Sequence, residues 1–171
     1  MEEKTNERPF DWKGALLDAY SVSEQMNQYL LEHLDERAWR AKPPGGKVRD
    51  IAQVVAHTHN VRHLWLVTCG KDIPGLKIPP KLNRAKCTKK QARAALAKSA
   101  QSMSHLIAAA LERPDGRVKN FPSGVAGFIG NHIAHEAHHR GQVMMPARQL
   151  GFPFTGDINY TLWAFGRRRK N

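Results

Sequence analysis

Apolar residues recur at three- and four-residue steps along nearly the whole of this chain, and Pro- and Gly-rich breaks interrupt that period at a few sharp places. This is the period of helices buried along one face; a half-buried strand alternates every second residue, and no stretch here sustains such alternation. Trp12, Leu16, Ala19, Met26, Leu30 and Leu34 predict a long first helix over 11–41, stopped by Pro43, Pro44, Gly45 and Gly46. Ile51, Val54, Val61, Leu64 and Trp65 mark a second helix over 48–69, closed by Gly70. Thr88 with Gln91 three residues later is a capping-box signature, opening a third helix that turns Ala95, Leu96, Met103, Leu106, Ile107 and Ala110 inward and ends at Pro114, Asp115 and Gly116. Ser123 is expected to cap a fourth helix carrying Phe128, His135, His139 and Val143 and ending at Gly151 and Pro153. Tyr160, Trp163 and Ala164 predict a short fifth helix. The expected fold is all-α: a four-helix bundle with a short C-terminal fifth helix, forming one domain over 10–166, followed by a basic tail over 167–171.

The nine histidines sort by helix face. On the fourth helix His135 and His139 are four residues apart, so they stack one turn above the other, on the face shared with Phe128 and Val143. On the second helix His57 lies three after Val54 and four before Val61, which projects it into the apolar stripe. His59 and His63 are also four apart, but they fall on the opposite side with Arg and Asn and are expected to be a solvated pair. A lone inward histidine is ordinarily a hydrogen-bonded core residue. A stacked inward pair and a third inward histidine on another helix are different, because each unsatisfied polar group costs about 1–3 kcal/mol and one shared ion satisfies all three. The faces therefore select His57, His135 and His139 as ligands of one divalent transition metal, with Zn or Ni favoured by imidazole donors.

His135, Glu136, Ala137, His138 and His139 also spell H-E-x-x-H, the zinc-protease helix. Such proteases need a third ligand further along, yet no Glu follows Glu136, Asp157 is the single Asp remaining, and no sheet is present to pair with a peptide. The longer string over 135–142, H-E-A-H-H-R-G-Q, resembles the signature of the DinB/YfiT-like superfamily of metal-binding four-helix bundles. The likeness runs from about residue 11 to 166 and includes a long first helix, a link with Trp39, Pro43 and Pro44, and His57 within the second helix. It implies a metal on His57, His135 and His139, the three that the helix faces select. It also implies kinship with thiol-dependent isomerases and transferases and with damage-inducible proteins, hence a site without a defined substrate. Pro146 departs from an ordinary helix former and is expected to kink the fourth helix just beyond the motif.

Three neutral imidazoles leave an ion its full charge and at least one open position, the catalytic pattern. Two chemistries follow: activation of a bound water for hydrolysis, or presentation of a low-molecular-weight thiol cosubstrate for S-transfer to a small molecule. The thiol reading is favoured by the resemblance alone. Gln142, close to the ligand face, is a candidate for supporting a ligand or contacting substrate, and His132 lies one turn earlier on that flank. Glu136 is rotated about 100° from His135, so pairing with Arg140 competes with a general-base role. Gly127, Gly130, Ala134, Ala137 and Gly141 form a small-residue strip that would admit another helix, internal or from a second copy in a homodimer.

With 171 residues the chain can bury a core without disulfides, so a metal would serve chemistry. Cys69 and Cys87 show no paired or metal-binding spacing and read as packing thiols. No apolar run is long enough to cross a bilayer and no secretory signal opens the chain, so a cytoplasmic location without membrane association is expected. The net charge is +12, concentrated in the eight basic residues of 71–93 and in the tail. That charge supports the rival reading, a non-catalytic damage- or stress-response metal-binding protein with weak, sequence-independent nucleic-acid affinity. No zinc finger, recognition helix or row of stacking aromatics accompanies it.

Overall fold

Four of the five α-helices among the described residues start at a side chain that satisfies a first-turn backbone N–H group. Asp11 accepts from the Gly14 amide, Asp50 from that of Gln53, Thr88 from that of Gln91 and Thr155 from that of Ile158. At Asp50 and Thr88 the glutamine returns a bond to the cap backbone and completes a capping box. The computed structural model describes residues 9–45 and 48–164, so the expected basic tail lies outside the described residues. The helices are α1 (Trp12–His33), α2 (Ile51–Cys69), α3 (Lys89–Leu111), α4 (Val125–Gln149) and α5 (Gly156–Trp163), and no named strand occurs among the described residues.

Three boundaries differ from expectation, the first being that α2 begins at Ile51, where Asp50 caps it, rather than at 48. α1 stops at His33 because Leu34 is extended and Asp35 caps a separate 3-10 turn, Glu36–Ala38. That break folds Ala38 and Trp39 into the core, with the Trp39 indole donating to the Cys87 carbonyl at 3.0 Å. α4 is capped by Gly124, with no side-chain bond from Ser123; instead the Val125 amide donates to the Gly116 carbonyl at 2.8 Å. The helix continues through Pro146 to Gln149.

α1 and α2 each pack against both α3 and α4. Around the bundle the order is therefore α1, α3, α2, α4, with α1 diagonal to α2, while α5 rests on α1. Because α2 and α4 are neighbours, His57 can reach the stacked histidines. The small-residue strip does not pack internally: Gly127, Gly130, Ala134, Ala137 and Gly141 are all exposed, and a Cβ placed at Gly130 or Gly141 would meet nothing within 4 Å.

The apolar interior has two parts. One joins Leu30, Leu31, Trp39, Ile51, Val55, Leu96, Val143 and Ala147; the other joins Tyr20, Leu66, Met103, Leu106, Ile107, Phe128 and Ile129. Along each helix, buried polar residues lie between the two: Ser23 and Asn27 in α1, Thr58, His59 and Arg62 in α2, Ser99 in α3, and His132, Glu136 and His139 in α4. A buried polar layer is costly unless its groups are paired, so its bonding pattern identifies what it is for.

Candidate metal centre

His57, His135 and His139 come together, each offering a ring nitrogen, with the three atoms within 4.8 Å of one another. His135 Nε2 and His139 Nε2 are 3.0 Å apart, one helical turn separating their backbones on α4. Two Zn–N bonds of about 2.0–2.1 Å at a tetrahedral angle place their nitrogens roughly 3.3 Å apart, so the pair needs little adjustment to share an ion. His57 enters from α2, its ring 4.8 Å from that of His139 and nearly perpendicular to it. His139 is buried and the other two are partly exposed, which leaves one side of the cluster open to solvent.

Gln142 sets the orientation of His139. Its Oε1 lies 2.8 Å from His139 Nδ1, and an amide oxygen only accepts, so Nδ1 carries the proton and Nε2 turns its lone pair toward the cluster. The Gln142 amide nitrogen donates in turn to His138 Nε2 at 2.9 Å. Burial, reinforced by the neighbouring histidines and by Arg84 and Arg49, pushes the His57 pKa down to about 4. Burial likewise lowers His135 and His139 from the ordinary histidine range. All three are thus neutral at neutral pH, the protonation state a metal requires of its ligands. The cluster can hold a metal ion, and among the described residues no Cys, Asp or Glu joins it.

The family model of the DinB superfamily matches residues 19–143, more than half of the chain. The chain belongs to the DinB superfamily. That match spans all three clustered histidines and Gln142. No curated protein and no solved structure matches the chain.

Other expectations for this DinB-superfamily chain require correction. Glu136 does not pair with Arg140. Its carboxylate accepts from Arg62 Nε at 2.7 Å, from Arg62 Nη2 at 2.8 Å and from Asn27 Nδ2 at 2.7 Å, while Arg140 donates to Asn27 Oδ1. Burial alone would raise the Glu136 pKa, but the Arg62 charge and these bonds outweigh it and hold the carboxyl below its usual range. Arg62 was not apparent from sequence as a core residue. It is fully buried, binds Glu24 of α1 at 2.6 Å, Glu136 of α4 and the Leu96 carbonyl of α3, and so ties all four long helices together. A signal was present: Arg62 follows Val55 by seven and precedes Leu66 by four, within an apolar face.

The supposed solvated pair on α2 is an anchoring surface. His59 is fully buried, donating from Nε2 to the Pro80 carbonyl at 2.9 Å, with Nδ1 3.2 Å from Ser99 Oγ. His63 Nδ1 bonds the Pro79 carbonyl at 2.7 Å, and Asn60 exchanges two bonds with the Leu82 backbone. The basic segment after α2 therefore packs over this face, burying His59 while Asn60 and His63 stay partly exposed. Leu64, expected inward, is instead exposed, as is Trp12. His132 stays outside the cluster, packed 4.5 Å from Phe128 and 6.3 Å from Trp65, its Nε2 without a hydrogen-bond partner.

Proposed function

We propose that this chain is a metal-dependent enzyme acting on a small molecule through an open centre at His57, His135 and His139. The observation that carries the reading is the convergence of three neutral imidazoles with no fourth donor among the described residues. An ion so held keeps its full positive charge and a free position, and supplies Lewis acidity to a bound water or a low-molecular-weight thiol. Zn and Ni both suit the imidazole set. His139 is aimed by Gln142, while the Arg62–Glu136 pair fixes the turn of α4 that presents both stacked ligands. Neither cysteine competes for the thiol's role: Cys69 and Cys87 are buried outside the cluster, and burial raises both thiol pKa values. Resemblance to thiol-using relatives favours S-transfer over hydrolysis.

Elemental analysis of the purified chain should find one transition metal per molecule, lost on His57→Ala, His135→Ala or His139→Ala and retained on His63→Ala. The cobalt-substituted protein should develop a sulfur-to-metal charge-transfer band when a small thiol is added. Four protein donors and a spectrum indifferent to added ligands would make the centre structural.

A further inference from the structure

Among the described residues, two arginines at the rim of the histidine cluster join no ion pair. Arg84, exposed on the basic segment, directs its Nη2 to His57 Nδ1 at 3.1 Å. Arg49, exposed just ahead of α2, bears electrostatically on both His57 and His139. Among the described residues neither has a carboxylate partner, and the nearby acids are committed elsewhere: Asp50 to Arg40 and Lys42, Glu136 to Arg62.

Arg84 is held in place from several sides. Arg40 donates to its carbonyl at 2.8 Å, Asn83 accepts from the Ala85 amide through its side chain and from Lys86 and Cys87 through its carbonyl, and Asn60 clamps Leu82. A guanidinium so placed against a neutral ring nitrogen is an uncompensated charge. Its bond to His57 is also incompatible with ligation. If His57 ligates through Nδ1, the acceptor is taken; if through Nε2, Nδ1 carries the proton and cannot accept from Arg84. Either way the fork of donors is released at the open side of the cluster, suited to the two oxygens of a carboxylate or to a phosphate.

On the Arg49 side, reaching Gln142 that bonds His139, runs a groove of about 890 Å³, lined by Val48, Arg49, Val54, His138, Gln142 and Met145. That volume is within the ~300–1,000 Å³ of small-molecule sites, and Val48 and Met145 provide an apolar wall. We propose that Arg84 and Arg49 form an oxyanion subsite, so that the molecule brought to the histidine centre is an anionic one with an apolar body. This rests on the open-centre reading given above.

The test compares 3-mercaptopropionate with neutral 2-mercaptoethanol on the cobalt-loaded chain, reading each dissociation constant from the charge-transfer band. The ratio of the two constants should change about tenfold from wild type to the R49Q/R84Q variant, with 2-mercaptoethanol binding unchanged; comparing ratios cancels the intrinsic acidities of the thiols. An unchanged ratio in a variant of native helicity overturns the subsite. A second arm titrates the zinc-loaded chain with propionate and with 1-propanol, following the arginine side-chain resonances. Saturable shifts of Arg49 and Arg84 with propionate alone are expected. If propionate shifts them while no thiol perturbs cobalt, the thiol reading falls and the subsite stands; a thiol band without any propionate response removes the subsite and leaves the open centre. Inorganic phosphate in place of propionate tells a phosphate-type ligand from a carboxylate.

Discussion

At the scale of single residues, the consequential contacts are those in which a side chain's proton position is fixed by its neighbour. Gln142 holds His139 in the tautomer that frees Nε2. Replacing such a support ordinarily weakens metal affinity by about 10–100-fold, so Gln142→Leu should loosen binding by that factor without loss of helicity, as measured by competition with a chromophoric chelator. His132 makes a different kind of contribution. Burial pushes its pKa down to about 4, against 6.5 for an ordinary histidine, with the charge of Glu136 opposing. Since the unfolded chain takes up the proton first, this contribution to stability is complete above pH 6.5 and is lost as the pH falls toward 4. It is worth on the order of 3 kcal/mol. His132→Phe should therefore flatten the fall in urea stability across that window, and an unaltered slope would show that His132 is not the group responsible.

At the scale of elements, the bundle is held through its middle by a charge network. Arg62 of α2 bonds α1, α3 and α4, with 1% side-chain exposure for both Arg62 and Glu136. Removing one member strands the other, which typically costs about 3–5 kcal/mol, whereas apolar replacement of both is often far less harmful. Arg62→Met should thus lower stability by about that amount, and the Arg62→Met, Glu136→Leu double variant should recover part of it; denaturant titration of the full cycle measures the coupling. The outer face of α4 follows the opposite logic. Gly130 is exposed with open space where a Cβ would sit, so Gly130→Ala should raise stability by about 0.5–1 kcal/mol through helix propensity. A drop in melting temperature together with a change of mass in solution would instead mark this face as covered by a second copy.

At the scale of the whole molecule, two apolar clusters enclose a polar layer from which the histidine cluster opens to one side. The clusters draw on all four long helices, so the fold does not depend on an ion to form a core. Chelator treatment should leave the far-ultraviolet circular dichroism intact while lowering the melting temperature. Free metal at a hundred times its dissociation constant should restore about 2.7 kcal/mol. Collapse of the helical signal on chelation would assign the ion a structural role. No described helix is long and apolar enough to cross a membrane. The basic segment after α2, a source of the rival nucleic-acid reading, is bonded along its length to His59, Asn60 and His63 and carries Arg84 to the centre.

The chain's periodicity by itself determined five helices, and with them the stacking of His135 over His139, because helical geometry relates residues four apart whatever surrounds them. His57 reaches the cluster from the partly exposed margin of α2, so the apolar spacing that singled it out did not mark the helix's buried face, which runs through Val55, His59, Arg62 and Leu66. Capping chemistry was equally local, which is why Thr88 and Gln91 were recognisable and why Ser123, displaced by the Gly116 carbonyl across a turn, was not. Only the tertiary structure decided that Arg62 and His59 are buried and Leu64 and Trp12 exposed. A helix surface is polar or apolar by composition, but whether it meets water depends on what packs over it. On α2 that covering is a distant segment whose Pro79 and Pro80 carbonyls and Leu82 backbone satisfy polar side chains that would otherwise have to face solvent.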